Sequence, residues 1–358
     1  MKASKTLLVA LIGGLVSTAS HAQVELDITG GQTFKSAVIN RVYTIFDGGA
    51  ANTASNAVDT SHITFSGTAS GALGGNPTSV VVRLGFTTTG QGLIDLAESN
   101  LVGFARSIPE GGGSVLISNP ANVAFSDIFP GTATPPQNAA LFNEQIIGVV
   151  PFVFVGHNDL AFSNLTREAA ISFWEFSGQI TEDFFVTNGN PSKIIYDIAR
   201  TPDSGTRIVS EKVAAFVGTP QVYNAQYQPT NGYTTSSSQV GAIANTPNSL
   251  GVAGIADYLA SGNPGASTFL LKYEGYAPTP TNVVLGLYPV WSYDHAYTLK
   301  TGPHAVSGLQ SNLFQALASA LTNDTYQTTN PNYTNSFVAL SHMAVDRQGD
   351  GTVIIPGQ

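Results

Sequence analysis

Residues 200–206, Arg-Thr-Pro-Asp-Ser-Gly-Thr, combine side chains whose types and spacing could do chemistry. Asp203, Ser204 and Gly205 have the form of the catalytic aspartate turn of an acid protease, in which two carboxylates share one proton. Ser204, Gly205 and Thr206 could instead open a helix that binds an anion through free N–H groups, hydroxyls and the helix dipole. Arg200 would add a planar pair of donors for two oxygens. A capped helix beside a surface arginine is the third interpretation.

The protease interpretation needs a second Asp-Ser/Thr-Gly turn, since each carboxylate comes from one turn. The other Asp-Gly pairs begin at Asp47 and Asp350, and neither has a hydroxyl residue between aspartate and glycine. Acid proteases are also mostly β proteins. The sequence therefore disfavours an acid protease and leaves the anion site and the capped helix open.

The elements that must position these residues repeat in the order strand, small polar turn, helix. Thr33 is expected to cap the first helix and Thr166 a later one, because a threonine hydroxyl can accept a first-turn N–H. Strands are predicted over 24–30, 78–86, 122–125, 146–158 and 193–199, and helices after 33, 88, 164 and 204. This alternation predicts an α/β protein with mainly parallel sheets.

The second half of the chain continues the pattern. Residues 218–239 are polar and are expected to form a loop, and residues 240–259 are expected to form a helix, a Gly-rich strand and a helix. A second long apolar run covers 283–299. The runs near 146 and 285 predict two crossings between two lobes.

The chain starts with the layout of a cleavable secretory signal: Lys2 and Lys5, the apolar run 7–16, and small residues before Gln23. Cleavage after Ala22 would change the formal net charge from −9 to −11 by removing the two lysines. The absence of cysteine excludes disulfides. The signal layout therefore predicts export to a periplasm or full secretion.

Nucleic-acid binding is disfavoured because it needs a basic surface, and no later segment predicts a membrane span.

Other site motifs are missing. The sequence has no Gly-x-Ser-x-Gly elbow, no Gly-Lys-Ser/Thr phosphate loop and no close His-x-x-x-His pair. Residues 346–351, Asp-Arg-Gln-Gly-Asp-Gly, lack the spacing of a calcium loop and predict a turn. We therefore expect neither a metal nor a cofactor, and no catalytic residue.

Several segments resemble the phosphate-binding periplasmic proteins of ABC transporters. Residues 200–206 resemble that family's Arg-x-Asp-Gly-Ser-Gly-Thr turn, although Pro202 and Asp203 replace the usual Asp-Gly. Residues 28–38 resemble its first-strand turn, with Lys35 where proline is common, and residues 122–131 resemble its Ser-Asp segment. The segments 149–181, 240–258 and 345–357 follow in the family's order.

The resemblance implies a two-lobed periplasmic binding protein of type II, in which each lobe is a mainly parallel sheet flanked by helices and the ligand lies in the interlobe cleft. One lobe would comprise 24–148 and 287–358, the other 149–286. Such a protein is a monomer that binds inorganic phosphate with high affinity, passes it to the membrane subunits of an ABC importer, and catalyses no reaction. The alternatives are another tetrahedral oxyanion (sulfate, molybdate or tungstate), a secreted hydrolase such as an acid protease or phosphatase, and a surface protein that kept the fold but lost the site.

The resemblance also implies which residues contact the ligand: Thr33, Phe34 through its backbone N–H, Thr88 or Thr89, Asp127, Arg200, Ser204, Gly205 and Thr206. Thr88 and Thr89 are chosen for the second loop because the match is weakest between 44 and 110.

Asp127 carries the expected specificity. A carboxylate repels a fully ionised oxyanion in a dehydrated cleft, but it can accept a hydrogen bond from phosphate, which still holds a proton near neutral pH. Sulfate has no proton to give, so the resemblance implies a preference for phosphate. Without it, a turn or capping aspartate after a short strand is the simpler interpretation.

Overall fold

The computed structural model describes residues 23–262, 264–330 and 337–357. The expected signal peptide, 1–22, lies outside the described residues. The strands are β1 (Val24–Gly30), β2 (Ala54–Ala57), β3 (His62–Ala69), β4 (Thr78–Phe86), β5 (Leu101–Ala105), β6 (Leu116–Pro120), β7 (Val123–Ser126), β8 (Phe142–His157), β9 (Asn164–Leu165), β10 (Tyr196–Asp197), β11 (Val222–Tyr223), β12 (Pro229–Thr230), β13 (Ser249–Gly254), β14 (Thr268–Leu270), β15 (Lys272–Tyr273), β16 (Trp291–Leu299), β17 (Val345–Asp346) and β18 (Ile355–Pro356).

The α-helices lie between and after these strands. They are α1 (Lys35–Val42), α2 (Thr89–Glu98), α3 (Arg167–Phe176), α4 (Gly205–Ala214), α5 (Ser236–Ala244), α6 (Ile255–Ala260), α7 (Pro280–Val284), α8 (Gly308–Leu321) and α9 (Asp324–Thr329). Within the described ranges, none of the helices is long and apolar enough to cross a bilayer.

The main sheet has the strand order β10-β13-β8-β16-β7-β1-β4-β3-β2, and β14 also pairs with β8. The part from β2 to β16 forms the first lobe, and β10, β13 and β14 form the sheet of the second. Strand β8 joins them, since Phe142 to Pro151 pair with β16 whereas Phe152 to His157 pair with β13 and β14. Its Val- and Phe-rich second half is buried on both faces, as expected for a central strand.

The α/β, two-lobed architecture is as expected, but the sheet is mixed. Parallel pairing is restricted to β4-β1-β7 in the first lobe and β10-β13 in the second. Strands β2, β3 and β4 are successive antiparallel neighbours, and β8 and β16 run antiparallel to each other where they cross between the lobes. The strand, turn and helix signal predicts the parallel units, and the apolar runs near 146 and 285 predict the crossings but not their antiparallel pairing.

Two sequence predictions about element limits were wrong. The apolar run 283–299 is not one strand, because Pro280–Val284 is a helix and β16 begins only at Trp291. Residues 218–239 are not all loop, because Thr235 accepts a hydrogen bond from the N–H of Ser238 and helix α5 begins at Ser236.

The predicted caps have different outcomes. Thr166 caps α3 by accepting the N–H of Ala169 at 3.1 Å. Thr33 does not cap α1, since the helix starts after Phe34 without a side-chain cap. The Thr33 hydroxyl instead donates to Asp127 at 2.8 Å. A carboxylate competes well for this donor because charge-assisted hydrogen bonds are about twice as strong as neutral ones.

Helix α2 packs on β1 through glycines. A Cβ added to Gly92 would lie 2.4 Å from Cα of Gly30, and a Cβ on Gly30 would lie 2.0 Å from the carbonyl oxygen of Phe125. Gly30 also has a φ of 114°, which favours glycine. The close approach of helix and strand therefore depends on the absence of side chains at these positions.

Substitution Gly92→Ala should destabilise the protein by about 1–3 kcal/mol, because the added methyl overpacks the contact with Gly30. Gly241→Ala is a matched control: it also lies within a helix, and its Cβ would meet nothing within 4 Å. The control should gain roughly 0.5–1 kcal/mol from helix propensity. Urea unfolding measures both changes, and equal stabilities of the two variants would contradict the glycine contact.

Candidate functional site

The first lobe delivers three loops to one place, because its three parallel strands end at the same edge of the sheet. Gln32 and Thr33 follow β1, Thr87 to Thr89 follow β4, and Asp127 follows β7. The edge at the carboxyl ends of parallel strands is the usual ligand position in α/β sheets.

The second lobe presents its own parallel pair in the same way. Arg200 lies three residues after β10, and Asp257 lies three residues after β13. The turn from Asp203 to Thr206 and the start of α5 flank them. Both lobes therefore direct the carboxyl ends of their parallel strands toward a common cleft.

These loops enclose a cavity of about 20 Å³. Its size limits the occupant to a small ion or a few waters. Hydroxyl, amide and charged side chains predominate in the lining: Gln32, Thr33, Thr87, Thr88, Thr89, Asp127, Arg200, Ser204, Thr206, Thr235, Ser236 and Asp257.

Helix N-termini surround the cavity. Helices α1 and α2 of the first lobe, and α4 and α5 of the second, all start at or next to lining residues. The first turn of each helix has N–H groups without intrahelical acceptors, and its dipole favours negative charge. Ser204, the N-cap of α4, makes no capping hydrogen bond with its side chain, so its hydroxyl lines the cavity instead. This arrangement can bind an anion.

Arg200 is held before any ligand binds. Its Nε donates to the carbonyl of Tyr233 at 3.0 Å, Nη2 donates to the carbonyl of Thr234 at 2.8 Å, and Nη1 donates to the Ser236 hydroxyl. Among the described residues these partners use three of the five guanidinium N–H groups. One N–H on each terminal nitrogen is left for two oxygens of a ligand.

The charge of Arg200 is also without a close counter-ion. No carboxylate oxygen lies within 4.0 Å of it in the part of the chain that the structure describes. Burial lowers the pKa of Arg200, while the charges of Asp257, Asp127 and Asp203 raise it. The side chain is only 8% exposed, so an anion beside it would be bound in a poorly screened environment.

Asp127 faces the same cavity from the first lobe. Its carboxylate accepts hydrogen bonds from Thr33 at 2.8 Å and from Thr89 at 2.5 Å. Burial raises the pKa of Asp127 above its ordinary value, against the two threonine bonds and the charge of Arg200, which lower it. The side chain is therefore a good acceptor for a proton carried by a ligand.

A second carboxylate and a second cation lie nearby. Burial raises the pKa of Asp257, and the charge of Arg200, a hydrogen bond from Ser236 and the charge of Lys35 lower it. Burial lowers the pKa of Lys35, and the charge of Asp257 raises it. The cavity lining thus contains both negative groups, Asp127 and Asp257, and a positive one, Arg200, which suits a ligand that both donates and accepts hydrogen bonds.

The structure brings together most of the residues that the sequence singled out. Thr33, Thr88, Thr89, Asp127, Arg200, Ser204 and Thr206 all line the cavity. Gly205 lies at its edge, where an added Cβ would be 1.8 Å from Oδ1 of Asp127. The Phe34 side chain lies in the core against Phe337, and its predicted role concerns only the backbone.

Sequence reasoning missed five lining residues: Gln32, Thr87, Thr235, Ser236 and Asp257. Thr235 and Ser236 had a detectable signal, since small hydroxyl residues precede an apolar helix there just as they do at Ser204. Asp257 had none, because a single aspartate in the first turn of a helix is a common stabilising feature.

The two lobes also contact each other directly beside the cavity. The Thr88 hydroxyl of the first lobe donates to Oδ2 of Asp203 in the second at 2.6 Å, and the N–H of Gly90 donates to the Asp203 carbonyl at 3.3 Å. The structure therefore shows a closed cleft. The described residues include no group of three or more His, Cys, Asp or Glu side chains that could hold a metal ion.

The chain has a two-lobed α/β fold with a small closed cavity between the lobes. No family model matches the sequence. In sequence, the chain is 28% identical to the phosphate-binding protein PstS of Bacillus subtilis (strain 168) over 188 residues, which are 52% of this chain and 54% of that protein. The chain thus spans about half the length of this relative, and over that part the resemblance to phosphate-binding proteins of ABC transporters is confirmed.

Solved structures of the same fold cover most of the chain. A putative phosphate ABC transporter substrate-binding protein with bound phosphate, from Clostridium perfringens, has a TM-score of 0.57 at 12% identity and covers 88% of this chain and 99% of its own. An ABC-type phosphate transport receptor from Vibrio cholerae has a TM-score of 0.53 at 14% identity and covers 87% and 99%. These similarities confirm the predicted fold.

The contact between Thr88 and Asp203 predicts that the cleft opens more readily when the contact is removed. Substitution Thr88→Val should lower the closed-to-open ratio of the ligand-free protein about fivefold, since a partly exposed bond to a carboxylate stabilises by roughly 1 kcal/mol. Solution scattering should then give a larger radius of gyration. Thr44→Val is the matched control, because this exposed hydroxyl bonds only within the first lobe. Identical scattering of the Thr88 variant and the wild type would contradict the prediction.

Proposed function

We propose that this chain binds inorganic phosphate with high affinity between its lobes and delivers it to the membrane subunits of an ABC importer. The observation that carries the proposal is the pairing, across one small cavity, of a buried Arg200 that keeps two free N–H groups with a buried Asp127 that accepts hydrogen bonds. The relatives, whose names are those of phosphate-binding proteins, support it.

Phosphate fits the mixed charge of the cavity better than other tetrahedral oxyanions do. Asp127 and Asp257 can each accept a hydrogen bond from a protonated oxygen of the ligand, and Arg200 with the helix N-termini can hold the remaining oxygens. Sulfate has no proton to donate near neutral pH and would place its oxygens against a carboxylate. The same argument disfavours molybdate and tungstate, which remain, like sulfate, alternative ligands.

The ligand set of the proposal is Thr33, the Phe34 backbone, Thr88 or Thr89, Asp127, Arg200, Ser204, Gly205 and Thr206. To these we add Ser236 and Asp257, because both line the cavity. The geometry around Asp203 favours binding over catalysis, since its carboxylate is occupied by Thr88 and forms a contact between lobes. The protein then catalyses no reaction.

We further propose an extracytoplasmic location, reached through a signal peptide cleaved after Ala22, and a monomeric state. The lobes would be divided as the sequence suggests, with 24–148 and 287–358 in one and 149–286 in the other. Strand β8 supports this division, because its pairing changes from first-lobe to second-lobe partners between Pro151 and Phe152.

Calorimetric titration of ligand-stripped protein with phosphate and with sulfate tests the proposal. The wild type should bind phosphate at least about 100-fold more tightly than sulfate, since a buried carboxylate facing an unprotonated oxyanion costs about 3 kcal/mol or more. Asp127→Asn should narrow this gap, because an amide can donate to any oxygen. Arg200→Ala should weaken phosphate binding by at least ~2 kcal/mol.

Asp183→Asn is the matched control for the Asp127 variant: it makes the same chemical change at an exposed position of the second lobe that is not part of the cavity lining. It should bind both anions like the wild type. A wild-type preference for sulfate, or unchanged phosphate affinity after loss of Arg200, would reject the proposed function.

A further inference from the structure

A second and much larger cavity lies away from the interlobe cleft. Its volume is about 490 Å³, against about 20 Å³ for the anion cavity. The opposite end of α4, the start of α3 and the C-terminal segment enclose it. Its lining consists of Arg167, Lys212, Val213, Ala215, Tyr273, Glu274, Pro289, Arg347, Gly351, Thr352, Val353 and Ile354. This volume is in the range of small-molecule sites, which is about 300–1,000 Å³.

Two buried polar groups of this lining have unused hydrogen-bonding capacity. Nε of Arg347 and the hydroxyl of Tyr273 have no hydrogen-bond partner within the described part of the chain. Arg347 is 3% exposed and Tyr273 is 2% exposed. Buried polar groups are nearly always paired, so each unpaired one needs an explanation. Both atoms lie beneath the cavity surface, so they make its floor polar.

The charged residues of the lining favour an anionic ligand. Arg167, Lys212 and Arg347 contribute three positive charges to the lining, and Glu274 contributes one negative charge. Within the described ranges no carboxylate lies within 4.0 Å of any of the three cations. In a chain with a net charge of −9, such a local excess of positive charge is distinctive.

Burial determines the protonation of the buried polar groups Arg347 and Tyr273. Burial lowers the pKa of Arg347 to about 10, so it is still cationic at neutral pH. Burial raises the pKa of Tyr273, so its hydroxyl keeps its proton and adds no negative charge beside the cavity. Arg167 uses Nε to cover the carbonyl of Ala214 at the end of α4, which masks the negative end of that helix from an anion.

Most of the remaining lining is apolar. Val213, Pro289, Val353 and Ile354 give the lining an apolar surface, and Trp291 stacks on the Arg347 guanidinium at 4.6 Å. An inorganic anion bound in the cavity would leave this apolar surface exposed to water. A ligand with an anionic group and an apolar body would contact both surfaces.

We propose that this cavity is a second binding site, which takes a small organic anion by pairing its carboxylate, phosphate or sulfonate group with Arg167 and Lys212, over the buried charge of Arg347, and packing its apolar body on Val213 and Ile354. The site is separate from the interlobe cavity, because α4 has its N-terminus at one and its last turn at the other, about 15 Å apart. Arg347 also holds the carbonyls of Pro289 and Trp291, where the chain returns between the lobes.

An aromatic sulfonate dye, 8-anilinonaphthalene-1-sulfonate, is a suitable probe, since it combines an anionic group with apolar rings. The mature protein with Trp174→Phe retains Trp291 as its single tryptophan, and this ring lies directly beneath Arg347. Dye bound in the cavity should quench Trp291 by energy transfer with saturable, one-to-one stoichiometry. The dye is too large for the interlobe cavity, so the result does not depend on the proposed phosphate site.

Lys212 variants locate the bound dye. Lys212 is exposed and forms no ion pair among the described residues, so Lys212→Gln and Lys212→Glu should keep the fold, which circular dichroism verifies. Relative to the Trp174→Phe protein, the first should weaken dye binding about fivefold and the second more. Lys300→Glu is the matched control at an exposed lysine of the first lobe and should change nothing. Dye binding without quenching of Trp291, equal affinity in both Lys212 variants, or no binding would each overturn the proposal.

Discussion

The buried guanidinium of Arg200 is the feature on which the rest of the site depends. A charge taken out of water is costly unless it is hydrogen-bonded and paired. The acceptors of its hydrogen bonds all lie in one short segment, 233–236, whose last residue is the first residue of α5. Gly232 allows this segment to approach, since a Cβ there would lie 2.4 Å from the Arg200 carbonyl. The counter-charge is left to the ligand. The orientation of Arg200 is therefore fixed in advance, so binding does not have to order a long side chain.

Closure of the lobes buries the Asp127 carboxylate, which is electrostatically unfavourable. Gly205 of the second lobe packs directly against the Asp127 carboxylate, and burial raises the pKa of that group. With its folded pKa above the unfolded value, the folded state holds a proton over the pH range just above 3.8, and stability falls as the pH rises through that range. In the proposed function, a ligand that donates a hydrogen bond to Asp127 offsets this cost only in the closed state. Ligand protonation and lobe closure are thus linked through one carboxylate.

The sequence allows the site to be predicted better than the sheet. Strand, small polar turn and helix signals are local, so residue types and spacing indicate the turn at 204–206, and the family resemblance adds Thr33 and Thr88 or Thr89. The antiparallel crossings of β8 and β16 depend on contacts between residues more than 130 positions apart, which a local pattern cannot encode. Thr33 shows the limit within the site itself. Its type predicts a helix cap, but a buried carboxylate 94 positions away accepts its hydroxyl instead.

The acidic residue of the 200–206 turn lies in the contact between the lobes and not beside Arg200. In the family pattern the aspartate stands two residues after the arginine, and in this chain Pro202 occupies that position and Asp203 follows it. Proline cannot pair with a guanidinium, and no described carboxylate oxygen lies within 4.0 Å of Arg200. The displaced carboxylate lies instead against Thr88 of the other lobe at 2.6 Å. Asp203 thus contributes to the contact between the lobes, and in the proposed function the charge of Arg200 is left for the ligand.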